Sequence, residues 1–265
     1  MFDRGLHRKR LDRAARDFAE ADFLLRRAAE DVAQRLAPIN RTFSRALCLS
    51  ARTGAFRDAL GAEAPQAVET LIEADLSARM LSGRAGLRVV ADEERLPFAD
   101  GAFDLIVSLL GLHWTNDVVG ALIQARRALR PDGLFIGTFL GGVTLTELRQ
   151  SLVAAESEIL GGAGSRVSPF ADVADAAGLL QRAGFNMPVA DVDTLTVTYD
   201  HPLKLVLDLR RMGETSVLSD RHPRKLTRAL LERTFAIYFE RFGGDGGRVP
   251  ATFEIVTLTG WAPPA

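Results

Sequence analysis

Three absences narrow the class of protein that this sequence encodes. The 265 residues include a single cysteine, Cys48, so the chain forms no internal disulfide and holds no metal through several thiolates. No stretch of about 18 uncharged apolar residues occurs, so we expect no membrane-spanning helix. The net charge of −1 gives no whole-chain signal for nucleic acid or for an anionic membrane. The rest of the composition, 47% hydrophobic and 25% charged, is typical of a globular protein with a substantial core.

The spacing of apolar residues predicts an N-terminal helix followed by a layered α/β domain. Apolar residues recur at helical intervals over residues 12–36, with charged residues between them. Short apolar runs then alternate with helical stretches, a pattern typical of a parallel sheet covered on both faces. The predicted strands are 46–49, 70–74, 87–91, 103–109 and 134–139, and the predicted helices between them are 55–60, 78–81 and 118–129.

The second half of the sequence predicts helices around two further strands. We expect strands over residues 189–199 and 252–261, and helices within 144–184, where Thr144 or Thr146 is placed to cap the first. Further helical patterns cover residues 202–212 and 224–242. We therefore expect one α/β domain over residues 1–265, with a helical segment at 1–40 and helical cap elements at 144–184 and 201–247.

Polar residues follow several predicted strands at the edge where an open parallel sheet binds ligands. Asp75 lies about 20 positions after Gly54, where a carboxylate accepts hydrogen bonds from ribose hydroxyls. Asp92 and Glu93 follow the third strand, where a carboxylate can accept a bond from an adenine amino group, and His113 follows the fourth. Each has a simpler interpretation: Asp75 as a helix cap, the acidic pair as a solvated turn, and His113 as a packed aromatic corner. Their shared position at one end of the sheet favours a ligand site.

Five stretches of the sequence resemble one group of proteins. They are VVADEERLPFADGAFDLIVSLLGLHWTND (89–117), LRPDGLFIGTFLGGVTLTELRQSL (129–152), SPFADV (168–173), FDRGLHRKR (2–10) and VPATFEIVTLTGW (249–261). Together they resemble the class I S-adenosylmethionine-dependent methyltransferase superfamily, and within it the family of mitochondrial complex I assembly factor 5 and its bacterial relatives. A more distant resemblance, in the fourth-strand region and the TLTELR segment, is to the biotin-pathway methyltransferases that esterify malonyl-carrier protein.

The resemblance implies a Rossmann-like fold with a seven-stranded, mostly parallel sheet whose last strand is antiparallel. It implies S-adenosylmethionine as cofactor, with Asp75 at the ribose and Asp92 near the adenine. The full set of expected cofactor-binding residues is Ser50, Gly54, Asp75, Leu76, Asp92, Glu93 and Leu110. The implied reaction is methyl transfer to a protein or small acyl substrate, or hydroxylation of an arginine on a respiratory complex I subunit. The family's FDR opening starts at residue 2, which leaves no room for a mitochondrial presequence and leads us to expect a bacterial cytoplasmic protein.

The loop after the first strand departs from the superfamily pattern acidic-x-Gly-x-Gly-x-Gly. Cys48, Ser50 and Arg52 replace the acidic residue and two of the glycines, while Gly54 remains. A side chain at a positive-φ position costs about 1 kcal/mol or more, and a missing charge-assisted hydrogen bond about 1.5–3 kcal/mol. Arg52 would lie near a positively charged sulfonium, or would pair with the methionyl carboxylate. Two hypotheses follow: an enzyme with a weakened cofactor loop, or a scaffold that has lost the cofactor and binds a partner protein.

Candidate catalytic residues are few. His113 is the first choice for a base that deprotonates the acceptor, and Tyr199 is the second, although a carboxylate acceptor needs no base. The histidines show no compact two-His-one-carboxylate spacing, which disfavours an iron site. The basic residues up to position 16 are interpreted as a solvated helix face. The alternative is that this segment closes over the cofactor mouth or docks an acidic partner.

Overall fold

The computed structural model describes residues 1–162, 164, 166, 176–219 and 226–265. These residues form seven strands: β1 Phe43–Leu49, β2 Val68–Asp75, β3 Leu87–Val90, β4 Phe103–Ser108, β5 Leu129–Leu140, β6 Asn186–Tyr199 and β7 Val249–Trp261. The strands make one sheet in the order β3-β2-β1-β4-β5-β7-β6. Strands β1 to β5 pair in parallel, whereas β7 pairs antiparallel with both β5 and β6. The predicted Rossmann-like sheet with an antiparallel last strand is therefore confirmed.

Helices cover both faces of this sheet. They are α1 Arg4–Ala14, α2 Phe23–Leu36, α3 Ala55–Glu63, α4 Val118–Ala128, α5 Thr146–Leu160, α6 Ala176–Arg182, α7 Pro202–Arg211 and α8 Arg228–Phe242. Apolar residues of α2 and α3 share one core layer with the sheet, and those of α4 and α6 share the layer on the other face. Among the described residues, no helix combines the length and the apolarity that crossing a membrane requires.

The single helix predicted over residues 12–36 is wrong, because the chain breaks there into α1 and α2. Helix α1 begins much earlier than predicted, since the side chain of Asp3 accepts a hydrogen bond from the backbone N–H of Leu6 at 2.8 Å and caps it. A short 3-10 turn, Phe18–Glu20, separates the two helices. Phe18 is buried in the same core as α2. Its apolar side chain therefore fits the helical spacing of the sequence, although the residue lies in a turn.

Two smaller predictions are also wrong. Residues 78–81 form turns instead of a helix, so Asp75 caps no helix; its Oδ1 accepts a hydrogen bond from the N–H of Ser77 at 2.8 Å. Neither Thr144 nor Thr146 caps α5, because Leu145 precedes that helix. The hydroxyl of Thr144 instead accepts a hydrogen bond from the backbone N–H of Glu254 on β7 at 3.0 Å and donates one to its carbonyl oxygen at 3.3 Å. Part of the predicted 144–184 cap, and of the predicted 201–247 cap, lies outside the described residues.

Parallel pairing brings the carboxyl ends of the central strands together. Cys48 on β1 is level with Glu73 on β2 and with Val107 on β4, so the loops after these strands leave the sheet side by side. At the opposite end, the carboxylate of Asp104 accepts hydrogen bonds from two backbone N–H groups of β1, both at 2.9 Å. The order of strands reverses between β1 and β4, where open α/β sheets place their ligand crevice.

Candidate functional site

The loop after β1 keeps a glycine-like backbone without its glycines. Ser50, Arg52 and Gly54 have φ angles of +51°, +49° and +85°, all in the left-handed region. Glycine adopts this region freely, whereas any other residue pays about 1–2 kcal/mol. The loop has therefore retained the backbone shape of a nucleotide-binding loop and added two side chains to its inner surface.

The longer of these side chains, Arg52, lies inside the site. Arg52 is 3% exposed, and its guanidinium donates to the carbonyl oxygens of Leu110 and Met212, each at 3.3 Å. Its Nε lies 3.7 Å from Asp75 Oδ2, and its Nη2 lies 3.5 Å from Glu214 Oε1. Two carboxylates and two carbonyls therefore surround one cation in a space that is closed to solvent.

Asp75 is the anionic centre of this arrangement. It is 1% exposed, and Oδ2 accepts a hydrogen bond from the backbone N–H of Arg52 at 3.1 Å. Burial raises the pKa of Asp75 to about 6, although the guanidinium of Arg52 and the N–H donors oppose that rise. The next residue, Leu76, is half-buried and packs against the apolar core. The carboxylate expected at a ribose is thus bonded to the protein on both oxygens.

A second arginine reaches the site from α1. Arg4 forms ion pairs with Asp92, at 2.5 Å, and with Glu93. Ser50 Oγ donates to the other oxygen of Glu93. Burial alone would lower the pKa of Arg4, but the two carboxylates outweigh burial and raise it. The acidic residues expected near an adenine are therefore neutralised by the N-terminal helix.

Helix α1 is held over the site by backbone contacts as well. The N–H of Asp3 donates to the carbonyl of Val217, and the N–H of Ser219 donates to the carbonyl of Met1, both at 2.8 Å. The inward face of α1 also carries His7, which is 3% exposed. Arg8, Lys9, Arg13 and Arg16 are exposed, whereas Arg10 is half-buried. The solvated-face interpretation is therefore wrong for Arg4 and His7, which lie over the strand ends.

His113 belongs to the same cluster, but through a residue that the sequence did not indicate. Its Nε2 lies 2.9 Å from Glu214 Oε2, which also accepts a hydrogen bond from Trp114 Nε1 at 2.7 Å. The backbone N–H of Leu140 lies 3.4 Å from Nδ1 on the other side of the ring. Burial would raise the pKa of Glu214, but His113, Arg52 and Trp114 together lower it. Glu214 follows α7 in a loop with no motif of its own, and no sequence signal marks it.

Tyr199 is not part of this cluster. It lies at the end of β6, which β5 and β7 separate from β4. Burial, followed by the nearby carboxylate of Asp208, raises its pKa above the ordinary value. A tyrosine that ionises less readily than usual, with three strands between it and β1, is poorly placed to act as a base on a ligand at β1.

Two arginine side chains occupy the space between these carboxylates. A cavity of about 20 Å³ remains beside Arg52, on the side that faces α2. Sites for small ligands enclose roughly 300–1,000 Å³. The carboxylate of Asp75 faces the guanidinium of Arg52, and those of Asp92 and Glu93 face Arg4. For S-adenosylmethionine to contact these carboxylates, the side chains of Arg52 and Arg4 would have to move away from them. Within the described part of the chain, no three His, Cys, Asp or Glu side chains come together as metal ligands.

Comparisons with known proteins agree with this fold. The sequence profile of the methyltransferase domain family matches residues 47–137. The arginine-hydroxylase NDUFAF5 of Danio rerio is 40% identical, over 99% of this chain and 83% of its own. The malonyl-[acyl-carrier protein] O-methyltransferase of Laribacter hongkongensis is 34% identical, over 99% of this chain and 91% of its own. The crystal structure of YcgJ from Bacillus subtilis superposes with a TM-score of 0.58 and 15% identity, over 89% of this chain and 99% of that one.

The sheet order, the antiparallel β7 and the crevice at the β1–β4 edge define a class I methyltransferase fold. The sequence identities over nearly the whole chain also show which family the chain belongs to. This chain belongs to the S-adenosylmethionine-dependent methyltransferase-like family that includes arginine-hydroxylase NDUFAF5 and the malonyl-carrier-protein methyltransferases.

Proposed function

We propose that this protein recognises a partner polypeptide through its methyltransferase fold and does not use S-adenosylmethionine as a methyl donor. The observation that carries the proposal is the buried guanidinium of Arg52, which Asp75, Glu214 and two carbonyls hold inside the expected cofactor crevice. A cofactor would have to displace a cation from two buried carboxylates. Leaving buried charges unpaired costs about 3–5 kcal/mol, which is roughly half of the binding energy of a micromolar ligand.

The names of the relatives support a proposal about the nature of the partner. An arginine hydroxylase is named for a reaction on arginine, and this chain is 40% identical to one over nearly its whole length. A polypeptide that presents basic side chains is therefore the partner class that we propose. Whether the partner is modified or only held, it must be recognised at a surface that the closed crevice does not provide.

Methyl transfer is the second candidate, and one observation favours it. The backbone at positions 50, 52 and 54 is still left-handed, as a cofactor-binding loop requires. Asp75, Asp92 and Glu93 are also still at the strand ends. On this alternative, Arg52 and Arg4 would leave the crevice before the cofactor entered it, and the remaining carboxylates would accept hydrogen bonds from it.

Calorimetric titration with S-adenosylmethionine separates the two candidates. We expect wild-type protein to bind more weakly than about 1 mM, equivalent to about 4 kcal/mol. The matched variant Ser50→Gly/Arg52→Gly keeps the loop backbone and removes both obstructing side chains, so it should bind at least tenfold more tightly. Submillimolar binding by the wild-type protein would overturn the proposal and restore methyl transfer.

A further inference from the structure

The first four residues of the chain form a short extended segment at the edge of the crevice, which we call the strap (residues 1–4). Phe2 forms an isolated antiparallel bridge with Leu218, and the backbone hydrogen bonds of its two neighbours run to residues 217–219. Asn116 also holds Phe2: its Oδ1 accepts a bond from the N–H of Phe2 at 2.6 Å, and its Nδ2 donates to the carbonyl of Phe2 at 3.1 Å. The backbone of the strap is therefore bound in the way that proteins bind an added peptide strand.

Two side chains of the strap point into the protein. Phe2 is 8% exposed and meets the ring of Trp114 edge to face, with 5.5 Å between the ring centroids. Arg4, two positions further on, donates to Asp92 at 2.5 Å and also to Glu93. The residue between Phe2 and Arg4 is exposed. The contacts of the strap therefore select an aromatic residue and an arginine, with one unselected position between them.

The groups that receive the strap are held in place by partners outside it. Glu94 accepts hydrogen bonds from the backbone N–H of Asn116 and, at 2.9 Å, from its Nδ2, which orients the amide. Glu214 accepts a hydrogen bond from Nε1 of Trp114 at 2.7 Å. These groups therefore keep their arrangement when the strap leaves. We call them the seat, and its residues are Asp92, Glu93, Trp114, Asn116 and 217–219.

Neither core layer depends on the strap. Phe2 packs with Trp114, Val217 and Leu218 in a small apolar cluster that is separate from the two core layers of the sheet. A chain end is attached at one side only, so it is displaced more easily than an internal segment. The strap can therefore leave the seat without unpacking the core.

We infer that the seat binds an extended segment of the partner polypeptide, with an aromatic residue two positions before an arginine, and that the strap occupies the seat as an internal competitor. Asn116 binds any peptide backbone, whereas Trp114 and the two carboxylates select the side chains. The carboxylates also match the basic partner class, because they take a guanidinium. This inference rests on the proposed polypeptide partner, but the seat consists of other residues than those that hold Arg52.

Fluorescence anisotropy tests the inference with an acetylated and amidated peptide, MFDRGLHR, that carries a dye at its C-terminal end. The full-length variant Phe2→Ala should bind it about tenfold more tightly than wild type or better, because the tethered strap of wild type competes at a high effective concentration. Replacing the phenylalanine or the arginine of the peptide with alanine should weaken binding by about tenfold or more. Replacing the aspartate with asparagine, which also caps a helix, should leave binding unchanged.

A variant of the seat locates the binding. Phe2→Ala/Asn116→Ala removes the backbone contacts of the seat and should bind the peptide about tenfold more weakly than Phe2→Ala does. The matched control Phe2→Ala/Gln150→Ala removes an exposed amide from α5 and should bind like Phe2→Ala. Equal losses in these two variants, or equal binding of the peptide without arginine, would overturn the inference. Absence of peptide binding by Phe2→Ala protein that unfolds cooperatively in urea would overturn it as well.

Hydrogen exchange of wild-type protein gives a second measurement that does not need any variant to fold. A large excess of the peptide should speed the exchange of the N–H of Asp3, which donates to Val217, because the strap leaves the seat. Unchanged exchange would overturn the inference. A wild-type dimer that Phe2→Ala abolishes would make the strap of a second copy the occupant and overturn the assignment to a partner. None of these results depends on S-adenosylmethionine, so the seat and the closed crevice fail separately.

Discussion

Replacing Arg52 with methionine tests the closed crevice through stability instead of ligand binding. Methionine retains much of the length of the side chain and removes its charge. Asp75 and Glu214, which are 1% and 9% exposed in their side chains, would then lack the cation between them. Removing one partner of a buried ion pair costs about 3–5 kcal/mol because the remaining charge stays buried. We therefore expect Arg52→Met to lower the free energy of unfolding by this amount at pH 8.

The stability loss of Arg52→Met should depend on pH in a definite direction. Burial raises the pKa of Asp75 from 3.8 to about 6, so its contribution to stability is full below the ordinary pKa of an aspartate. About 3 kcal/mol is lost as the pH rises through 6. Arg52 limits that loss only while Asp75 is ionised. The difference between wild type and Arg52→Met should therefore shrink between pH 8 and pH 5, where protonated Asp75 needs no cation.

Urea unfolding at both pH values measures the two differences. The control is Arg228→Met, because the side chain of Arg228 is 93% exposed and its pair with Glu232 lies on the surface. Such pairs contribute about 0–1 kcal/mol at most. A loss below about 1 kcal/mol for Arg52→Met at pH 8, or a loss that does not change with pH, would refute the claim that Arg52 compensates buried Asp75.

Three further predictions concern groups around the site. Burial, and then the neighbouring guanidinium groups, hold the pKa of His7 well below its ordinary value. The contribution of neutral His7 to stability is therefore full above the ordinary pKa of histidine and falls as the pH drops below it. His7→Gln should therefore lose less stability than wild type between pH 7 and pH 5 in urea titrations. Asp104→Ala should lower the free energy of unfolding by about 2–4 kcal/mol, because two backbone N–H groups of β1 lose their acceptors; Asp104→Asn, which keeps one oxygen, should lose less. Burial raises the pKa of the Cys48 thiol, so a thiol reagent should modify it only at the rate of unfolding; fast labelling of native protein would contradict this burial.

The sheet was predictable because its signal is local. Central strands such as β4 are buried along their whole length, so they read as apolar runs, and helical periods separate them. The boundary errors arose where a tertiary contact imitated a local pattern. Phe18 fits the helical period yet lies in a turn, where it is buried in the same core as residues of α1 and α2.

Only the site residues that directly follow a strand were predictable from the sequence. Asp75, Asp92 and His113 each follow a strand directly, so topology brings them to one edge. The groups that close the edge come from far along the chain: Arg4 lies 88 positions from Asp92, and Glu214 lies 101 positions from His113. No period or motif records such pairings. Arg52 was visible as a departure from a glycine pattern, but only the packed structure shows which carboxylates receive it.

The attachment of the first residues has a practical consequence for anyone who expresses this protein. Met1 and Asp3 bond through their backbones to residues 217–219, and Arg4 follows them into the crevice. A histidine tag or fluorescent fusion joined ahead of Met1 would lie next to these backbone hydrogen bonds, and we expect it to weaken them. Ala265 lies at an exposed end of the chain, so affinity handles belong there.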